Sequence, residues 1–201
     1  LVRDINTQVK RILKVATDYG FDDNLWHNYL TFFLMMSENP FSMTCEKVGA
    51  SDGSVNELVE NDFRIFKELF DYDFGPIEKD LGINCFSQIS NYKAIHKKDL
   101  MYNKNVSEKV RSLSKKLEAA KDEKEFFDAV TGFYKDYGVG MFGLNKAFRI
   151  DDTPQGSFTF RAINNMDTVM LDDLVGYEIQ KKKLVDNTEA FVQGKVANNC
   201  L

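Results

Sequence analysis

From about Asn24 through Met36 the chain carries Trp26, Tyr29, Leu30, Phe33 and Leu34, so a helix here is apolar almost all the way round. A helix of that kind needs cover on every side. Its longest unbroken apolar run, Leu30 to Met36, falls far below the ~20 residues needed to cross a bilayer. The cover must therefore come from other parts of the chain, which makes this element the expected centre of a helical core. Asp22 or Asp23 is the expected N-cap.

The neighbours supply suitable faces. Val2 to Tyr19 places Ile5, Val9, Ile12, Leu13 and Ala16 at helical spacing, with Gly20 as the stop. Pro40 sits where a first helical turn tolerates a missing N–H, and Gly49 ends the short helix after it. Ser54-x-x-Glu57 has capping-box spacing ahead of Leu58, Phe63, Ile65, Phe66, Leu69 and Phe70, which predicts a long amphipathic helix. Between Asp71 and Asn105, Gly75-Pro76 and Gly82 break the pattern into short helices over Ile77–Leu81 and Asn84–Tyr92. Val106–Ala120 and Glu123–Tyr137 read as an antiparallel helical pair with a short join, closed by Gly138.

The texture then changes. Phe148-Arg149-Ile150 and Phe158 to Ala162 are β-type runs around a turn-rich Asp151–Ser157, so a hairpin is expected. Tyr177 to Val192 reads as a helix with Ile179, Leu184, Val185, Thr188, Phe191 and Val192 on one side and Lys181, Lys182 and Lys183 as a solvated face on the other. The fold class is mainly α: a helical domain over residues 1–137, a linker with a hairpin over 138–170, and a further element from 171 to 201.

Composition narrows the functional classes. A formal net charge of −5 argues against a surface built to neutralise nucleic-acid phosphates. Cys45, Cys85 and Cys200 are odd in number, far apart and without a Cys-x-x-Cys pair, which fits a reducing cytoplasm rather than a disulfide framework or zinc knuckle. His27 and His96 are the only histidines and neither has a second ligand at metal spacing; His27 reads as a core-edge residue and His96 as a surface one. No Gly-x-Ser-x-Gly elbow occurs, and Glu57, Glu60, Asp62, Asp71 and Asp73 read as charged helix surface before they read as a carboxylate site. Gly138-Val139-Gly140-Met141-Phe142-Gly143 spells Gly-x-Gly-x-x-Gly. A charged helical segment precedes it where dinucleotide binding needs a buried strand, so a helix stop and flexible turn is the better reading. The 17 phenylalanines read as core before they read as a docking groove.

The C-terminal residues are the most specific. Leu171-Asp172-Asp173-Leu174-Val175-Gly176-Tyr177-Glu178 is followed by Gln180 and Lys181 to Lys183, then Asn187-Thr188-Glu189-Ala190-Phe191, then Ala197-Asn198-Asn199. This segment resembles the lead-in to an AAA+ (P-loop) module, and more closely a bacterial family of AAA+ ATPases known only as a domain of unknown function. Tyr137 to Gly140 and Leu144 to Arg149 are similar to the same family's linker. The resemblance covers about residues 137–201.

That resemblance implies that the hairpin expected above is followed by the opening helix of an AAA+ module, with Leu174, Val175, Gly176 and Tyr177 packed near an adenine ring. ATP and Mg are then the cofactors of a full-length parent whose phosphate loop follows Leu201; none is expected bound to these residues alone. Without that loop the chain is expected to hydrolyse no ATP. Its helical part is expected to regulate, recruit substrate or assist assembly, with its own AAA+ module, other subunits and an unknown protein as partners, and with no nucleic acid and no membrane segment. The alternative is a stand-alone helical interaction adaptor; a helical enzyme using clustered carboxylates has no positive motif. The tail is expected to rearrange or be capped by oligomerisation.

Overall fold

A computed structural model describes residues 1–50, 54–94, 102–154, 156–164 and 169–198. Two compact units divide the chain, Leu1–Asn165 and Met166–Leu201. Among the described residues the protein is mainly helical, with one two-stranded antiparallel hairpin.

The first unit runs α1 (Val2–Tyr19), α2 (Leu25–Met36), α3 (Pro40–Val48), α4 (Ser54–Phe70), α5 (Gly75–Leu81), α6 (Cys85–Ser90), α7 (Lys104–Ala119), α8 (Glu123–Tyr137), α9 (Gly140–Leu144), β1 (Phe148–Asp152) and β2 (Phe158–Ala162). The apolar α2 sits where its composition requires. It packs against α1, α4, α6, α7 and α9, and Leu25 and Met35 are completely buried. Phe21, Phe70, Phe126, Val110, Leu117 and Val130 close the same core, so helices distant in sequence share one apolar interior. Burying each such side chain contributes about 1.5–3 kcal/mol.

Polar groups inside this core are bonded locally. Thr31 and Thr131 turn their hydroxyls onto the carbonyls of His27 and Phe127, four residues back. The Tyr134 hydroxyl donates to the Leu34 carbonyl at 2.9 Å, tying α8 to α2, and burial pushes its ionisation up. At the end of α4, Trp26 Nε1 donates to the Leu69 carbonyl and His27 Nε2 to the Phe70 carbonyl, both at 2.8 Å. Two rings of α2 thus satisfy carbonyls that the last turn of α4 leaves without helical partners.

Several details depart from the sequence expectation. The N-cap of α2 is Asn24, which accepts from His27 N, and not Asp22 or Asp23. Asp22 is engaged elsewhere, its carboxylate 3.1 Å from Arg111 of α7. Asp23 takes a left-handed φ of 60° and exchanges backbone hydrogen bonds with Tyr92. The short helices run Gly75–Leu81 and Cys85–Ser90. The capping side chain of Ser54, His96 and Cys200 lie outside the described residues.

β1 and β2 pair with Ile150 opposite Phe160 and Arg149 opposite Arg161. In the second unit a 3-10 turn, Leu171–Asp173, leads through an extended turn to α10 (Glu178–Val192). The expected apolar side of α10 forms without one member: Leu184, Val185, Thr188, Phe191 and Val192 share one side of the helix, Ile179 lies two and a half turns from Thr188 on the opposite side, and none of the residues of α10 is buried. No helix among the described residues is long and apolar enough to cross a membrane.

Candidate functional site

The glycine string at 138–143 is a built corner rather than a flexible turn or a phosphate loop. Gly138 ends α8, and Gly140 to Leu144 form α9. Gly140 takes φ 72°, and a Cβ there would lie 1.8 Å from Glu38 Oε1. A Cβ on Gly143 would meet the Gly138 backbone at 2.4 Å, so only glycine lets the chain fold back on itself this closely. The Val139 amide donates to Glu46 Oε2 at 3.1 Å, and Lys109 Nζ donates to the Gly143 carbonyl at 2.7 Å while lying over the Tyr137 ring. The donor that a pyrophosphate would seek faces a carboxylate of α3, which disfavours an anion there.

The titratable side chains are likewise bound into the architecture. His27 stacks on Phe70 with ring centroids 4.0 Å apart; its Nε2 carries the proton toward the Phe70 carbonyl, and its Nδ1 faces Glu118 at 4.0 Å without a hydrogen bond. Burial holds its pKa below the usual histidine value. Of the carboxylates singled out from sequence, Asp71 pairs with Lys67 and Asp73 accepts from Gly75 N. Glu57 and Glu60 line an open cleft of about 1110 Å3 between α4 and α8, whose walls also carry Glu123, Asp128, Arg64 and Lys124 over Phe63 and Phe127. The structure does not bring these acids into one catalytic cluster with Asp71 or Asp73. No group of three or more His, Cys, Asp or Glu side chains suited to a metal ion occurs among the described residues.

The turn predicted to meet a nucleotide base lies in the second unit. The 3-10 turn is closed by Asp173, whose carboxylate accepts from Met170 N at 2.7 Å. Leu174 is extended, Gly176 follows Val175 at φ 83°, and Tyr177 begins α10 from a left-handed φ of 60°, which costs an L-residue about 1–2 kcal/mol. Leu174, Val175 and Tyr177 are all exposed, Val175 at 94%. One element therefore brings the four residues together, with their apolar surface outward.

Lys181, one of the three lysines expected on a solvated face, and Asn187 hold this turn and helix. Lys181 is mostly covered and not solvated: its Nζ donates to the Leu174 carbonyl at 2.9 Å and pairs with Glu178 at 2.9 Å. Lys182 remains in solvent with Asp186 as its partner. The Asn187 side chain grips Asn198 in both directions, donating to its carbonyl and accepting from its amide, each at 2.8 Å. Side-chain amides can mimic a backbone pair in this way. The Asn-Thr-Glu and Ala-Asn-Asn strings in the sequence are thus two halves of one clamp.

A family model described as "Protein of unknown function (DUF815)" matches residues 144–201, which takes in the hairpin and all of α10. No curated protein matches the chain, and no solved structure does.

Proposed function

We propose that the chain is the N-terminal regulatory, substrate-recruiting or assembly region of a bacterial AAA+ ATP-binding protein, with Leu174, Val175, Gly176 and Tyr177 contributing to its adenine pocket. The reading draws on the DUF815 match over residues 144–201 together with the AAA+-like motif order from Leu171 to Asn198. Within that segment, the observation that carries it is the turn itself. Outward apolar side chains on a turn pinned by Lys181 offer a flat ring a preformed contact at little ordering cost.

ATP and Mg would be held at their phosphates by a lysine-bearing glycine loop, which supplies charge neutralisation for phosphoryl transfer. No such loop occurs in residues 1–201, so these residues alone turn over no ATP. Their own contribution is to hold the base and orient it. The helical unit would pass partner or substrate binding to the motor from its own surfaces.

The test is photolabelling of the natural polypeptide that contains this chain with an azido-adenine ATP analogue, followed by peptide mapping. Label on the peptide spanning Leu174 to Tyr177, competed by ATP, is the expected result. A natural polypeptide that neither labels nor hydrolyses ATP would overturn the reading in favour of a helical adaptor.

A further inference from the structure

The hairpin carries an unmatched surface that fits a second copy of itself. Alternation along the strands puts Phe148, Ile150, Phe158 and Phe160 on one face. Phe142 of α9 joins them, 5.0 Å from Phe148 and 5.4 Å from Phe160 between ring centroids. Much of this face is open to solvent: Ile150 is 66% and Phe158 61% exposed. A lone two-stranded ribbon is marginal in water, and its unpaired edges seek another strand.

The polar face says which edge and which partner. Arg149 stands directly opposite Arg161, a destabilising pairing of like charges. Asp151 relieves only one of them, its carboxylate 2.7 Å from Arg161 Nε. Arg149 has no ion-pair partner among the described residues. The bond from Ile163 N to Ala147 O sets the hydrogen-bonding phase of the hairpin. By alternation, the N–H and C=O groups of Phe148, Ile150 and Asp152 then point away from β2. Among the described residues β1 therefore presents a free edge beside an arginine that has no ion-pair partner, and no further strand pairs with it.

We propose that β1 pairs antiparallel with β1 of a second copy about a two-fold axis at Ile150, joining the hairpins into one four-stranded sheet. In that register Ile150 faces its counterpart, Phe148 faces Asp152, and Arg149 of each copy faces Asp151 of the other. The arginine and aspartate fall at non-hydrogen-bonded positions, where side chains approach most closely. Pairing through β2 instead, centred on Phe160, would set Arg161 against Thr159 and leave Arg149 uncompensated. The inference rests on the hairpin alone and is independent of the nucleotide reading above.

The experiment is sedimentation velocity across a concentration series with the wild-type chain, Arg149→Asp, Asp151→Arg and the double charge swap. The wild type is expected to dimerise reversibly, each single variant to weaken the dimer about tenfold or more, and the swap to restore it. Oxidised Ile150→Cys gives a disulfide-linked dimer, whereas Thr159→Cys on β2 gives none; this readout stands even if a charge variant misfolds. A monomer at every concentration, or an oligomer indifferent to all these changes, would overturn the proposal.

Discussion

The unit Leu1–Asn165 and the unit Met166–Leu201 both contain helices rich in apolar residues, yet they use them oppositely. In the first, α2 is apolar around its circumference and is enclosed by five other helices. In the second, α10 carries Leu184, Val185, Phe191 and Val192 along one side and buries none of its residues. The difference teaches that apolar content sets a demand for cover, while the arrangement of neighbours decides whether it is met. At 15 residues α10 is of marginal length for a helix in water, so its shape depends on local devices: the Lys181 bridge to Leu174 and the Asn187 clamp on Asn198.

Truncations test this contrast most severely in the core. Phe126→Ala is expected to cost about 3–5 kcal/mol, because the ring is wholly buried and its removal leaves a cavity. Urea denaturation followed by circular dichroism reads the loss directly. Gly143→Ala comes next, at about 1–3 kcal/mol, since the new methyl group meets the Gly138 backbone rather than a movable side chain. A melt unchanged from wild type would mean that the corner is looser than its geometry.

Acid should act on the first unit through His27. Burial depresses its folded pKa, so below the unfolded value of 6.5 the unfolded chain binds a proton that the folded chain resists. The corresponding stability is complete above that pH and declines as pH falls from there toward the depressed folded value. His27→Gln should flatten the dependence of the unfolding midpoint on pH in this window. The smallest effect is reserved for the tail, where Phe191→Ala should change global stability by less than about 0.5 kcal/mol. A loss comparable with that of Phe126→Ala would erase the distinction between the two regions.

Helical periodicity and glycine stops made most elements of the first unit legible in sequence, because those signals are local. What escaped depends on contacts between distant residues. Asp22, Asp23 and Asn24 are all competent N-caps, and only Arg111 and Tyr92, far along the chain, divide their roles. The corner at Gly138 to Gly143 needed Glu46 and Lys109 before its short helix could be understood. In the candidate site the motif strings were visible, but the pairing of Asn187 with Asn198 joins residues that no periodicity links. Lys181 was hidden within a run of three lysines that look alike until the helix sets one of them over the preceding turn.

The carboxylate of Glu46 has a further consequence for the corner it holds. Tethered through the fold, it meets the Val139 amide as an intramolecular ligand, at an effective concentration set by geometry rather than by supply. A dissolved anion arriving at that amide would be a competitor of an occupant that never diffuses away, and like charge would oppose its approach. The Val139 amide is thereby withheld from solution by its own neighbour.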